Sequence, residues 1–440
     1  VRKLRTFLGN LGLLVLLAVV LMVWTQLPLV AVAVLLVLLV GWLLLTRRGR
    51  QTLSVTGVGI STLGQRIGAS SVIVIGIAGV VGVLVAMLAM GDGFAATLQQ
   101  TGSSDTAIVL RGGSSAELNS VLERDNLSVI EQAPGVARDS DGKPVASAEI
   151  SVVANLPKKA DPSVDANVQI RGVGDAAWAL RPNVKIIAGR RFTPGLRELV
   201  VGQGARRQFA GLDIGHQLRL AGQQWTIVGA FASGDSHDSE LWGDRQTVAS
   251  AYRRGASAQS VTVRLASPQA FDAFKAALVS DPRLKVDVTT TREYFSKQSE
   301  GLTKVIRIVG ITVGTIMAIG AIFGALNTMF AAVATRAREI ATLRAIGFRG
   351  VPVVVSILLE TMLLALLGGL LGGLLTWLIF NGYTASTLGS NFSQVVFQFK
   401  VSPQLLWTGI KWAMAIGFVG GVFPAVRAAR LPVTTALREL

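Results

Sequence analysis

Ser236, His237, Asp238 and Ser239 follow one another directly and supply the residue types of a nucleophile, a base and an orienting acid. Neighbouring side chains on one short stretch of backbone cannot adopt the geometry in which the acid orients the base and the base meets the hydroxyl. The preceding Gly234-Asp235 pair reads as a turn, so a solvated loop is expected and no catalytic residue is assigned. His216 and His237 are the two histidines of the chain, and a metal site would need further ligands that no spacing supplies. No metal ligand is assigned. The absence of cysteine excludes disulfide staples and thiol chemistry. The one Gly-Lys pair, Gly142-Lys143, runs into Pro144 and cannot form a G-x-x-x-x-G-K-[ST] phosphate loop. The chain is therefore expected to be no enzyme and to carry no cofactor of its own.

Glu360 is the sole acid in an apolar stretch from 351 to 380. A carboxylate inside a bilayer segment is costly, and is either functional or paired. The elbow that precedes it holds the arginines within its reach. From Asn327 onward an apolar stretch runs into a basic amphipathic helix, stops at Gly347 and re-enters an apolar stretch. Ile340, Leu343 and Ile346 fall at helical spacing on one side, with Arg338, Thr342 and Arg349 projecting elsewhere. Gly347 is a suitable helix stop. A short charged helix between two spans is a handle for a partner protein; the plainer alternative is a loop anchored on lipid headgroups.

The elements that position these residues belong to a membrane protein. Hydrophobic residues make up 51% of the chain and charged residues 15%, which excludes an ordinary soluble domain of this length. The net charge of +16 is concentrated at the ends of apolar stretches: Arg2, Lys3 and Arg5; Arg47, Arg48 and Arg50; Arg336, Arg338, Arg344 and Arg349; Arg427, Arg430 and Arg438. By the positive-inside rule these clusters face the cytoplasm. They read as topology signals and contacts to anionic lipid, not as a nucleic-acid surface.

Residues 7–25 and 29–46 are near-continuous apolar runs, each close to the length a membrane-crossing helix needs. With Trp24, Gln26 and Pro28 between them they predict a helical hairpin. The first run is long for a signal peptide, and no small-x-small cleavage site follows it. The semi-polar stretch 51–66 suits a helix at the cytoplasmic interface. Spans are predicted at 68–90, 305–333, 351–380 and 404–426, giving six in all with both termini inside. Gly76, Gly79 and Gly82 in the third span, and Gly368, Gly369, Gly372 and Gly373 in the fifth, permit close helix approach. Packing within one subunit is the favoured use of the second set.

Between Gly91 and Gly301 the chain turns polar. Short β-branched runs at 106–110, 150–153, 168–170, 198–201, 217–220, 225–228 and 261–264 alternate with Gly, Pro and Asp turns. Helical patches fall near 114–132, 203–210 and 268–280. A mixed α/β domain of this size can bury its own core, and an odd number of preceding spans places it outside the cytoplasm. Ser296, Lys297, Lys304 and Arg307 lead into the next span as a continuous stalk. The segment 395–401 (VVFQFKV) alternates like a strand, which reads either as an edge touching lipid, substrate or the exported domain or, the favoured role, as interfacial anchoring.

Two strings carry a family resemblance. Arg336, Arg338-Glu339-Ile340, Leu343-Arg344-Ala345-Ile346-Gly347 and Glu360 resemble the pattern after the second core span of FtsX/MacB-type permeases of ABC transporters. The tail from Phe423-Pro424 through Arg427, Arg430-Leu431-Pro432 and Arg438 resembles the end of the same family. The resemblance covers roughly 51–440. Thr335 and Ala341 stand where that family usually has Glu and Gly, and the hairpin at 1–46 is extra to its four-span core.

The resemblance implies four parts: an extra hairpin over 1–50, an interfacial helix and first core span over 51–90, an extracytoplasmic domain with stalk over 91–300, and an FtsX-like permease domain over 301–440. It implies an ATPase-coupling helix formed by Arg336, Arg338, Glu339, Ile340, Leu343, Arg344, Ile346 and Gly347. Glu360 would support coupling, and Arg427, Arg430 and Arg438 would form the cytoplasmic tail. The implied partners are two copies of an ABC ATP-binding subunit, which would hold ATP and Mg, and a second permease subunit in a homodimer or heterodimer. An extracytoplasmic adaptor or substrate protein would complete the set, with the whole in the bacterial inner membrane. The implied function is mechanotransmission that exports or extracts an amphiphilic lipoprotein, peptide or drug. The alternative is a non-transporting regulator of an extracytoplasmic partner such as a cell-wall hydrolase.

Overall fold

The computed structural model describes residues 19–20, 23–61, 63–389 and 391–430. Most of the expected span at 7–25, and Arg438 in the tail, lie outside them. Two compact units emerge: one of Val1–Ala89, Ile306–Asn381 and Lys400–Leu440, the other of Met90–Val305 and Gly382–Phe399.

Among the described residues, four helices are long and apolar enough to cross a membrane: Ile67–Thr101, Thr291–Thr335, Gly350–Phe380 and Pro403–Arg430. These correspond to the predicted spans at 68–90, 305–333, 351–380 and 404–426. Among the described residues the count reaches five if Leu29–Leu45 and Arg47–Ser61 are one broken span. Leu29–Leu45 is 17 residues long and turns by 94° into Arg47–Ser61. Thr46 makes the break, its hydroxyl accepting the Gly49 N–H at 2.9 Å, so a side chain satisfies a helix-start donor that would otherwise be orphaned.

Close approach between the helices depends on missing side chains. A Cβ at Gly368 would meet the backbone of Val74 and the side chain of Ile77, one at Gly372 would meet Ala78, and one at Gly369 would meet Ala413. Within this chain the fifth-span glycines thus pack against the helices beginning at Ile67 and Pro403, where backbone contact gives dispersion energy that lipid cannot match. In the third span Gly82 faces Thr376, while Gly76 and Gly79 face open space. Gly310 and Gly314 admit Met87 and Leu84.

The Trp24 indole N–H donates to the Lys411 carbonyl at 2.8 Å. The Lys411 ammonium donates to the carbonyls of Thr25 at 2.6 Å and Leu27 at 3.4 Å. A cation within an apolar helix is thus satisfied by the backbone of the turn before Pro28, as burial of charge demands.

The second unit is built on one ten-stranded sheet. Its strands are β1 (Thr106–Arg111), β2 (Ala146–Pro157), β3 (Asp165–Val173), β4 (Lys185–Gly189), β5 (Glu198–Gly202), β6 (Gln217–Leu220), β7 (Gln223–Ala232), β8 (Glu240–Asp244), β9 (Ser260–Arg264) and β10 (Val286–Thr290). They run in the order β10-β1-β9-β2-β3-β8-β5-β7-β4, with β6 on β7. Pairing is antiparallel except for β3 with β8 and β5 with β7. The first residues of β2 pair with β9 and the rest with β3, so one strand joins two cores. One core gathers Val109, Ile130, Val261, Phe274 and Val288; the other gathers Val168, Leu199, Phe209, Trp225 and Leu241. All seven predicted strand segments lie in strands, while β4, β8 and β10 were not anticipated. Ala221 and Gly222 join β6 to β7 with φ of 49° and 76°, the two-residue reversal that suits the twist of a hairpin.

Candidate functional site

Gly347, with φ of 108°, ends the elbow helix Ala337–Ala345, because a residue without a Cβ adopts that conformation without strain. The helix does not present Ile340, Leu343 and Ile346 to one environment. Ile340 and Ala341 are buried, Leu343 and Arg344 are half-buried, and Ile346, just past the last turn, is 71% exposed. Arg338, Glu339 and Thr342 are exposed. The elbow therefore anchors itself by Ile340 and offers a mixed charged and apolar outer surface.

Arg336 fixes its angle. Its Nε donates to Glu339 Oε2 at 3.1 Å and its Nη1 to Glu360 Oε2 at 3.0 Å. One guanidinium thus bridges the elbow to the following span with charge-assisted hydrogen bonds, and Glu360, 3% exposed, has a counter-ion. In the last helix Arg427 stacks over the Phe330 ring at 5.5 Å, and Gly350 at the start of the re-entering span faces Ala429. Arg430 closes that helix.

In the β unit the sequence reading missed the most concentrated chemistry. Arg171, on β3 and 2% exposed, donates to Glu117 at 2.8 Å, to Glu149 at 2.9 Å and to Glu240 at 2.8 Å. Arg181 binds Glu149 through both terminal nitrogens, Ser260 donates to Glu117, and the Trp242 indole donates to Glu240. The Glu117 N–H donates to the Tyr294 hydroxyl at the foot of the helix Thr291–Thr335. Burial opposes charge on Glu149, but Arg181 and Arg171 overcome it and hold the carboxyl below its ordinary range. Burial likewise opposes charge on Glu240, and Arg171 beside it more than compensates, keeping it well below that range. Such a network specifies one arrangement of the strands that carry it. No local spacing announces it, since its members come from four strands and loops.

His237 corrects an expectation. It lies in the short turn Ser236–Ser239 and is 1% exposed, not in a solvated loop. Arg181 Nε donates to its Nε2 at 3.0 Å, so the ring proton sits on Nδ1, which faces Glu240 Oε2 at 3.3 Å. Nε2 is thus committed to the network, while Nδ1 lies close to Glu240 without making a hydrogen bond to it. A cavity of about 180 Å³ beside it is lined by Thr101, Asp105, Arg181, Asn183 and His237.

The segment 395–401 also departs from expectation. Strands β11 (Thr384–Leu388) and β12 (Gln394–Gln398) form a hairpin that packs on the β unit and does not simply rest at an interface. Val396 N–H donates to Ser239 Oγ at 2.8 Å, Asn167 donates to the Phe392 carbonyl at 2.7 Å, and Phe397 is buried edge-on against Phe94. Aromatic burial of this kind outweighs what a headgroup contact would give.

Family comparisons agree with these features. Residues 70–280 match the MacB-like periplasmic core domain, and residues 311–433 match the FtsX-like permease C-terminal domain. The macrolide export ATP-binding/permease protein MacB of Burkholderia pseudomallei, in strains 1710b and K96243, is 24% identical over 303 residues. That match covers 62% of this chain and 44% of the relative, so the chain spans less than half the length of those proteins. Similar solved structures include the periplasmic region of MacB from Actinobacillus actinomycetemcomitans (TM-score 0.34, 14% identity, 44% of this chain and 93% of that one). The extracellular domain of the ABC-type transporter YknZ from Gram-positive bacteria is another (TM-score 0.32, 15% identity, 42% and 100%). The chain is a multi-pass membrane protein with an extracytoplasmic domain, and it belongs to the FtsX/MacB type of ABC transporter permease.

Proposed function

We propose that this permease subunit couples ATP hydrolysis on separate ATP-binding subunits to movement of its extracytoplasmic domain, and so exports or extracts an amphiphilic substrate such as a lipoprotein, peptide or drug. The elbow carries the reading. It is a short helix whose outer surface, Arg338, Glu339, Thr342 and Ile346, is exposed while its inner side is buried at Ile340 and held by Arg336. A rigid exposed knob between two spans can transmit displacement; a mobile loop cannot. The uninterrupted helix Thr291–Thr335 supplies a stiff connection onward. Two copies of the ATPase, binding ATP and Mg, would dock beneath a permease dimer in the inner membrane, with both termini of this chain in the cytoplasm.

An open groove of about 930 Å³ in the extracytoplasmic domain supports the substrate class. Leu302, Leu388 and Phe392 give it apolar walls, and Lys275, Asp287 and Lys297 give it charges. An amphiphile needs both. The test is co-expression with an ABC ATP-binding subunit from the same organism, comparing wild type with Arg338→Glu plus Ile346→Asp. Both positions are exposed, so the permease should fold. Loss of ATPase co-purification and of permease-stimulated hydrolysis supports the reading; unchanged association overturns it.

A further inference from the structure

We infer that the interfacial helix Arg47–Ser61 is a third member of the coupling joint, with Gly59 as the positioning residue through which it bears on the Arg336–Glu360 ion pair. The inference rests on the elbow reading above. Gly59 lies on the buried stripe of its helix with Gly49, Thr52, Val55 and Thr56. A Cβ there would stand 2.9 Å from Glu360 Oε2, 3.4 Å from Arg336 Nη1 and 3.5 Å from Arg336 Nη2. The helix backbone therefore covers the ion pair at a distance that leaves no room for a methyl group. Immediately after the helix, the turn Leu63–Arg66 brings a second cation, since the Arg66 charge acts on the same Glu360 carboxylate.

One short segment thus shields the pair with backbone and adds positive charge to it. In a setting poor in water both effects are strong, because Coulomb attraction rises as the effective dielectric falls. Displacement of Arg336 with the elbow cannot leave the helix Arg47–Ser61 untouched. That helix continues through Thr46 into Leu29–Leu45, and the turn before Leu29 is held by Lys411. The N-terminal helices, extra to the family's four-span core, are in this way tied into the joint.

The test exploits two glycines on one helix. A Cβ at Gly57 would meet nothing within 4 Å, so Gly57→Ala and Gly59→Ala share the gain in helix propensity and differ in the contact. Hydrolysis by the co-purified complex, relative to the ATPase alone, is measured for each alongside the melting temperature. Gly57→Ala should match wild type. Gly59→Ala should keep the ATPase bound through the exposed elbow surface but lose permease-dependent stimulation by about fivefold or more, the scale of a typical coupling energy. Equal stimulation in the two variants overturns the inference. Should Gly59→Ala fail to fold, Arg66→Gln removes the second cation without adding volume, and stimulation that stays at the wild-type level then overturns it. A wild-type chain that binds no ATPase sinks the elbow reading itself; a coupled wild type with indifferent variants sinks only the role of Gly59 and its helix.

Discussion

Arg336 and Glu360 stand 24 residues apart in the chain and 3.0 Å apart in space, joined across the base of the elbow. The pair is largely withdrawn from solvent, with side-chain exposures of 12% and 4%. Removing either partner therefore takes a buried ionic contact from the other, which is costlier than losing a surface pair.

Glu360→Ala should leave Arg336 bound to Glu339 alone and free the elbow to tilt. The expected outcome is ATP hydrolysis that persists but no longer responds to the permease, with a loss of stimulation of about fivefold or more. Steady-state hydrolysis of the reconstituted complex measures this, and coupling equal to wild type would show the pair to be purely structural.

Acid should weaken the extracytoplasmic domain through Glu149 and Glu240. Both carboxyls are held below the ordinary value of 4.5 in the folded state. Their contribution is therefore complete above that pH and is lost as pH falls through the folded-state values. Thermal melts of the full chain, followed by the near-UV signal of the packed Trp178 and Trp242 rings, should show stability flat from pH 7 to 5 and falling below. A melting temperature indifferent to acid would refute the assignment.

Arg171→Met should reverse that trend. Glu149 would keep Arg181, while Glu117 and Glu240 would lose the cation that pairs them, at a cost of about 3–5 kcal/mol. Because unpaired buried carboxyls favour the protonated form, acidification should partly restore the variant while it harms wild type. Parallel pH curves for the two proteins would exclude the network as the cause.

Lys411→Met should loosen the turn at Thr25 and Leu27 by about 1.5–3 kcal/mol, the range for hydrogen bonds to a charged group. Trp24→Phe removes the reciprocal bond to the Lys411 carbonyl. The two changes should be non-additive in a double-mutant cycle on melting temperature, whereas additive effects would mean that the turn is held elsewhere.

Ala221→Asn should stabilise the hairpin of β6 and β7. An L-residue with a Cβ at positive φ costs about 1–2 kcal/mol, and asparagine tolerates that conformation better than alanine. A rise of a few tenths to 1 kcal/mol in unfolding free energy is expected; a decrease would count against the turn geometry.

Much of this was legible in the chain itself. Hydropathy alone placed four helices, since a long apolar run has no other stable fate in lipid, and local β-branched runs located seven strands. Gly347 and the Arg336-to-Ile346 string marked the elbow because helix stops and amphipathic spacing are local properties. Only tertiary structure decided the rest. β8 begins with Glu240, which local pattern reads as a loop and which is buried because Arg171 waits on the neighbouring strand. His237 is enclosed for the same reason, and Phe397 because Phe94 faces it. Gly59 has meaning only beside Glu360, about three hundred residues further along the chain. A sequence states what each segment prefers in isolation, whereas the partner that neutralises a charge or forbids a methyl group is chosen when distant segments meet.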